Sequence, residues 1–94
     1  MSTLADETVL SAAPDCVVRE LADGGYLFYS PATDELHLVP RTGFYVFQLC
    51  NGVRSVQEIQ QRFEDALDEG GDHVRMAVTT FLARLIERRL LVLP

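Results

Sequence analysis

This 94-residue sequence contains no lysine and has only two cysteines and two histidines. Fourteen acidic residues outnumber eight arginines, which gives a net charge of -6 at pH 7. Negative charge repels phosphate backbones and anionic lipid, so neither nucleic acid nor a membrane is expected as a partner. Cys16 and Cys50 lie far apart without CxxC spacing, and His37 and His73 lack the spacing of a metal-binding helix. The sequence therefore predicts free thiols, no metal site and a reducing cytoplasm.

Long apolar runs are also missing. None approaches the roughly 20 residues that span a bilayer, and the acidic N-terminal segment lacks the basic start of a signal peptide. A chain of this length has room for one domain with a modest core, and a deep active-site cleft is not expected. The 48% apolar and 23% charged residues are typical of a soluble globular protein.

Catalytic patterns are equally scarce. Serine and threonine occur without a GxSxG sequence, neither cysteine has a local nucleophile signature, and no glycine-rich phosphate loop precedes a helix. His37 alternates with Leu36 and Leu38 in a predicted strand, so we expect a half-exposed surface histidine. The acidic residues of the second predicted helix are expected to be solvated. The sequence therefore predicts a protein that is not an enzyme and needs no cofactor.

Alternating apolar residues and turn signals define the first half of the chain. Residues 1–15 are polar and small, and we predict a flexible N-terminal tail followed by one domain over residues 16–94. Three short runs rich in Val, Leu, Tyr and Phe are separated by ADGG and PATDE, which contain the residues that reverse a chain. They predict a three-stranded antiparallel meander of Val17 to Leu21, Tyr26 to Ser30 and Glu35 to Val39.

Helical spacing replaces alternation from Pro40 onward. A first helix is predicted from Pro40 to Cys50, before the Asn-Gly turn. A second begins with the capping box of Ser55 and Glu58 and ends at Gly70-Gly71. A third starts near Asp72 as N-cap and ends at Arg88-Arg89, and the apolar tail from Leu90 to Pro94 must be covered. The predicted fold is a small α+β domain of the winged helix-turn-helix kind, with a three-stranded antiparallel sheet followed by three helices.

The open edge of this sheet suggests a binding mode. Glu35 to Val39 has one charge, no proline and no lysine, which is weak protection for an outer strand. A peptide could add a strand here by β-augmentation, or the tail or first strand could cover the edge; both remain open. Two other functions compete: a structural subunit docked on an enzyme, and a winged-helix DNA-binding regulator. The regulator would use the arginines of the third helix, although Glu87 and the acidic second helix oppose it. Those arginines are Arg75, Arg84, Arg88 and Arg89.

The segment LHLVPRTGFYVFQLCNGVRSVQEIQQRF, followed after a spacer by VTTFLARLIERRLLV, resembles PqqD and the related RiPP precursor peptide recognition elements. Three positions depart from the family pattern: Val39-Pro40 replaces Leu-Asn, Asn51 replaces aspartate, and Arg89 stands at the usual C-terminal glycine. The Asn-Gly turn is equivalent, and only the end of the third helix is put in doubt. The positions that match are Gly43, Leu49, Gly52, Val56, Glu58, Ile59, Phe81, Leu82, Leu85 and Leu90.

The resemblance implies that the protein binds the leader of a ribosomally made precursor peptide and delivers its core to a modifying enzyme, often a radical SAM protein. In the family the leader adds a strand to the third β-strand and lies against the third helix. Arg75 could then pair with an acidic leader residue. The same edge also leaves both a monomer and a homodimer open. By position, the main-chain contacts would come from Leu36, His37, Leu38 and Val39, and the side-chain contacts from Arg75, Val78, Thr79 and Leu82.

Overall fold

The fold is a mixed α+β arrangement of two small antiparallel sheets and three helices. The computed structural model describes residues 4–93. In chain order its elements are β1 (Val9–Ala12), β2 (Val17–Glu20), β3 (Tyr26–Ser30), β4 (Glu35–Val39), α1 (Arg41–Leu49), β5 (Asn51–Ser55), α2 (Val56–Leu67), α3 (Asp72–Glu87) and β6 (Leu91–Val92).

The predicted meander is confirmed as the sheet β2–β3–β4. Its first hairpin closes through hydrogen bonds from the Leu21 N–H to the Gly25 C=O (2.8 Å) and from the Gly24 N–H to the Leu21 C=O (3.0 Å). Gly24 has a φ of +92°, a conformation that glycine adopts without strain. In the second hairpin Asp34 takes a φ of +55°, and its carboxylate accepts a hydrogen bond from the Tyr29 hydroxyl.

A second sheet, with the order β5–β1–β6, is absent from the sequence prediction. The prediction of a flexible tail over residues 1–15 is wrong for Val9–Ala12, which form its central strand, while residues 1–3 lie outside the described residues. Leu10 is fully buried in the core, so apolar burial holds this strand in place. The Ala13 N–H continues the contact by donating to the Leu90 C=O at 3.0 Å.

The three predicted helices are confirmed, with small corrections at their ends. Pro40 is the N-cap of α1, and the capping box of Ser55 and Glu58 begins α2 as predicted. The second helix ends earlier than predicted, because Asp68 adopts the left-handed conformation that stops it before the two glycines. Gly71, and not Asp72, is the N-cap of α3.

Residues just beyond α1 and α3 complete the second sheet. Asn51 begins β5, although the sequence predicted only a turn there; its side chain accepts hydrogen bonds from the next backbone amides. Arg89 takes a φ of +61°, a left-handed backbone conformation that favours glycine. The chain then turns so that Leu90 and Leu91 are buried as predicted for the apolar tail, but Val92 and Leu93 are exposed and Pro94 lies outside the described residues.

The core lies between the inner face of the meander and the three helices. Phe28 is fully buried and makes edge-to-face contacts with Phe44 and Phe47 of α1, at centroid distances of 6.3 and 4.7 Å. Ile59 of α2 and Leu82 of α3 are also fully buried. Over residues 4–93, no helix is long and apolar enough to cross a membrane.

Candidate functional site

Strand β4 is an outer strand of its sheet, and its far edge has no neighbouring strand within residues 4–93. The hairpin bond between Leu21 and Gly25 shows which residues of β3 bond to β2. Because bonded pairs recur at every second residue of an antiparallel ladder, the odd-numbered residues of β3 bond to β2 and the even-numbered ones bond to β4.

The same alternation identifies the free main-chain groups of β4. The partners of the even-numbered β3 residues are Glu35, His37 and Val39. Their amides and carbonyls therefore face β3. The amides and carbonyls of Leu36 and Leu38 point the other way, to the open edge, where an added strand could form up to four hydrogen bonds with them.

The side chains of Leu36 and Leu38 are exposed as well. Their exposed fractions are 63% and 77%, and both lie on the outer face of the meander. The strand register places Tyr29 beside Leu36 and Leu27 beside Leu38 on this face, with Val17 at its far side. The edge therefore combines unpaired backbone with an apolar surface.

His37 lies on the opposite face of β4, and the prediction of a half-exposed surface histidine is wrong. Its side chain is only 12% exposed, and its Nε2 is buried without a hydrogen-bond partner in the described part of the chain. The nearest carboxylate oxygen is Oε1 of Glu35, at 3.8 Å. Alternation correctly separates His37 from the leucines, but the helices cover the histidine side of the strand.

A small apolar cavity of about 160 Å³ opens next to the end of β4. All three helices contribute to it. Its lining is apolar enough to hold an apolar side chain. The lining residues are Pro40, Thr42, Gly43, Val46, Phe63, Ala77, Val78 and Phe81.

Gly43 explains how β4 and α3 come so close at this cavity. A Cβ atom at this position would lie 2.8 Å from Phe81 Cζ and 2.8 Å from Val39 Cγ1. Such distances are shorter than van der Waals contact, so any larger residue would have to displace the phenylalanine ring or the strand. The glycine therefore brings the end of β4 against α3.

Two of the predicted binding residues on α3 contact α2 and not the groove, which is the space between the open edge of β4 and α3. Arg75 Nη2 lies 2.8 Å from the Glu64 carboxylate. The Thr79 hydroxyl donates to the Arg75 C=O (3.0 Å) and accepts from the Gln60 amide (2.8 Å). Both side chains are therefore engaged in the packing of α2 on α3.

The other two predicted residues of α3 are buried. Val78 is 2% exposed but lines the cavity, whereas Leu82 is fully buried and belongs to the core. The residues that face the cavity from the outer side of α3 are Ala77 and Phe81. The sequence prediction of the binding residues did not include Ala77, and it named Phe81 only as a position that matches the family pattern. Their spacing of four residues, which places them on one face of a helix, could have identified them.

The two cysteines are free thiols, as predicted. Burial raises the pKa of Cys50 to about 12. The pKa of Cys16 is also raised, first by burial and then by the nearby charge of Asp15. Neither sulfur is a thiolate at neutral pH, so neither is an activated nucleophile.

A wide depression of about 510 Å³ lies at the junction of α2 and α3 and is lined mainly by acidic residues. Glu64 is held within it by the Gly71 N–H (3.0 Å) and by Arg75. The Gly71 hydrogen bond, followed by the Arg75 guanidinium, keeps the pKa of Glu64 below its ordinary value. This carboxylate therefore connects the two helices.

Sequence and structure comparisons agree on one family. The model of the family described as coenzyme PQQ synthesis protein D (PqqD) matches residues 25–91. No curated protein matches the chain in sequence. The fold is similar to the solution NMR structure of the PqqD truncation of Methylobacterium extorquens PqqCD, with a TM-score of 0.76 and 17% identity over 95% of this chain and 94% of that chain. That protein is described as a functional and stand-alone RiPP recognition element.

Proposed function

Since the chain belongs to the PqqD family, we propose that it binds the leader region of a ribosomally synthesised precursor peptide and presents the peptide to a modifying enzyme. The family resemblance predicted from the sequence is thereby confirmed, as is the prediction that the chain is not an enzyme. The binding mode that we propose is addition of a leader strand to β4.

The observation that carries this proposal is the open edge at Leu36 and Leu38. An edge with free main-chain groups is either protected or used, and this one has neither lysine nor a bulge to protect it. Main-chain pairing would give affinity with little dependence on sequence, since every peptide has the same backbone. Side chains on alternate faces of the added strand would then provide selectivity.

The cavity beside α3 is the proposed source of that selectivity. An apolar leader side chain on the inner face would enter it and contact Phe81, Ala77 and Val78. Full burial of one such side chain contributes about 1.5–3 kcal/mol to binding. The four edge hydrogen bonds contribute about 0.5–1.5 kcal/mol each, so their sum is of the same order. Ordering the peptide costs several kcal/mol, so both contributions are needed for stable binding.

The remaining parts of the proposal rest on the sequence patterns and on the family resemblance. We propose a cytoplasmic protein whose enzyme partner is a radical SAM protein, with a winged helix-turn-helix relationship between α2, α3 and the meander. A monomer would leave the β4 edge free for the leader, whereas a homodimer paired through the same edge would compete with it. No observation favours the DNA-binding alternative, since Arg75 is already paired with Glu64 and the chain is acidic.

The test is a titration into the protein of a fluorescent peptide that was selected for binding from a displayed library of random short peptides. Leu38→Lys places a charge on the proposed interface and should weaken binding about tenfold or more. Val53→Lys is the matched control, because Val53 is 76% exposed on the other sheet and should bind as wild type does. Equal affinities for the two variants would refute strand addition at β4.

A further inference from the structure

Arg75 is not available as the cation that meets an acidic leader residue. Its guanidinium lies 2.8 Å from Glu64, whose side chain is only 11% exposed and also accepts the Gly71 N–H. Arg75 also donates to the Gln61 side chain at 3.4 Å. Releasing it toward β4 would leave a largely buried carboxylate with one partner fewer.

Arg84 of α3 and Arg88, the C-cap of that helix, continue the face that borders the groove. Ala77, Phe81, Arg84 and Arg88 follow one another at intervals of four, three and four residues, so they form one stripe along the helix. Phe81 marks where this stripe faces, because its ring and the Val39 side chain at the end of β4 both pack close to Gly43. Beyond the cavity, the groove side of α3 is therefore basic.

Within residues 4–93 these two arginines have no ion-pair partner. Arg84 and Arg88 are exposed, and the arginine that forms an ion pair within residues 4–93 is Arg75, with Glu64. Their positive charges interact favourably with the helix dipole near the C-terminus of α3, but this interaction does not replace a carboxylate partner for the guanidinium groups. In a chain of net charge -6, they form a local positive surface beside an apolar cavity.

We propose that Arg84 and Arg88 select leaders that carry carboxylates next to an apolar anchor residue. This inference rests on the proposed function. Along the helix axis, Arg84 and Arg88 lie about 4.5 and about 10 Å beyond Phe81, whereas side chains on one face of a strand recur about every 6.7 Å. When the apolar anchor residue of the leader occupies the cavity, one acidic residue would lie two positions from it along the leader. A second acidic residue would lie four positions from the anchor, on the same side.

The experiment selects binders from a displayed library of random short peptides, using wild-type protein, the double variant Arg84→Gln/Arg88→Gln and the control Arg19→Gln. Arg19 is exposed on β2, at the far side of the sheet from the β4 edge. Wild type and control should enrich Asp or Glu at the stated spacing from an apolar residue. The double variant should retain the apolar residue and lose the acidic preference. Its affinity for a wild-type-selected acidic peptide should fall about three- to tenfold at low salt, and less at high salt.

The possible failures are distinguishable. An apolar preference without acidic residues, or an unchanged acidic preference in the double variant, overturns the role of Arg84 and Arg88 and leaves strand addition standing. Failure of wild type to enrich any peptide overturns the proposed function and this inference together. Binding of duplex DNA that depends on the two arginines would assign them to nucleic acid instead. Thermal unfolding of each variant checks that the fold is intact.

Discussion

Proline substitution in β4 distinguishes main-chain groups that face the sheet from those that face the open edge. In the deduced ladder, the His37 N–H bonds to Phe28 and the Leu38 N–H has no partner in the sheet. His37→Pro should therefore break the sheet, whereas Leu38→Pro should leave the ladder intact. Proline is tolerated at an outer strand only where the missing N–H faces outward.

The expected difference is large. His37→Pro removes a hydrogen bond worth about 1 kcal/mol and leaves the Phe28 carbonyl unpaired at a fully buried residue, which costs about 1–3 kcal/mol more. Steric conflict of the ring brings the total to about 3 kcal/mol or more, a large part of the 5–15 kcal/mol typical of a domain. Leu38→Pro loses no ladder bond, and its side chain is 77% exposed, so we expect about 1 kcal/mol or less.

Urea unfolding measures both variants, and leader binding then tests the folded one. The two midpoints should differ by about 2 M or more, given a slope near 1 kcal/mol/M for a small domain. Leu38→Pro should also bind the leader about tenfold more weakly, because it lacks one donor of the edge. If Leu38→Pro unfolds as readily as His37→Pro, or binds the leader as wild type does, the assignment of the free edge groups is wrong.

Three further predictions test other parts of the structure. Gly43→Ala should lower the urea midpoint, because crowding of Phe81 costs about 1–3 kcal/mol and outweighs a helix-propensity gain of about 1 kcal/mol; a higher midpoint would contradict this. Leu10→Ala should cost about 2–4 kcal/mol in the same assay, whereas a flexible tail predicts no change. The lowered pKa of Glu64 stabilises the fold above the unfolded-state pKa, and this contribution is lost as pH falls through the folded-state pKa. The stability difference between wild type and Glu64→Gln should therefore be present at pH 7 and vanish in acid; a constant difference would refute it.

Local signals account for what the sequence predicted correctly. The meander follows from turn residues between short apolar strands, and α2 follows from the capping box of Ser55 and Glu58. The second sheet could not be predicted in this way. Ser11 of β1 pairs with Asn51 and with Val92, so a four-residue strand depends on partners from distant parts of the chain.

The site was predicted in part for a similar reason. The prediction that β4 is an outer strand was correct, because strand order in a meander follows chain order. Which face of β4 is covered depends on where the helices pack, and this could not be predicted from the strand alone. In the structure the side chain of His37 lies on the covered face, and those of Leu36 and Leu38 lie on the exposed face. Helical spacing likewise placed Arg75 on α3 but did not show that Glu64 would engage it.

Amide hydrogen exchange in β4, measured by NMR with and without saturating leader peptide, tests the central claim most directly. In the free protein the amides of Leu36 and Leu38 should exchange fast, while those of His37 and Val39 are protected by β3. Leader binding should slow exchange at Leu36 and Leu38 by about tenfold or more, because both amides then donate to the added strand. Unchanged exchange at these two residues under saturating peptide would contradict strand addition at this edge.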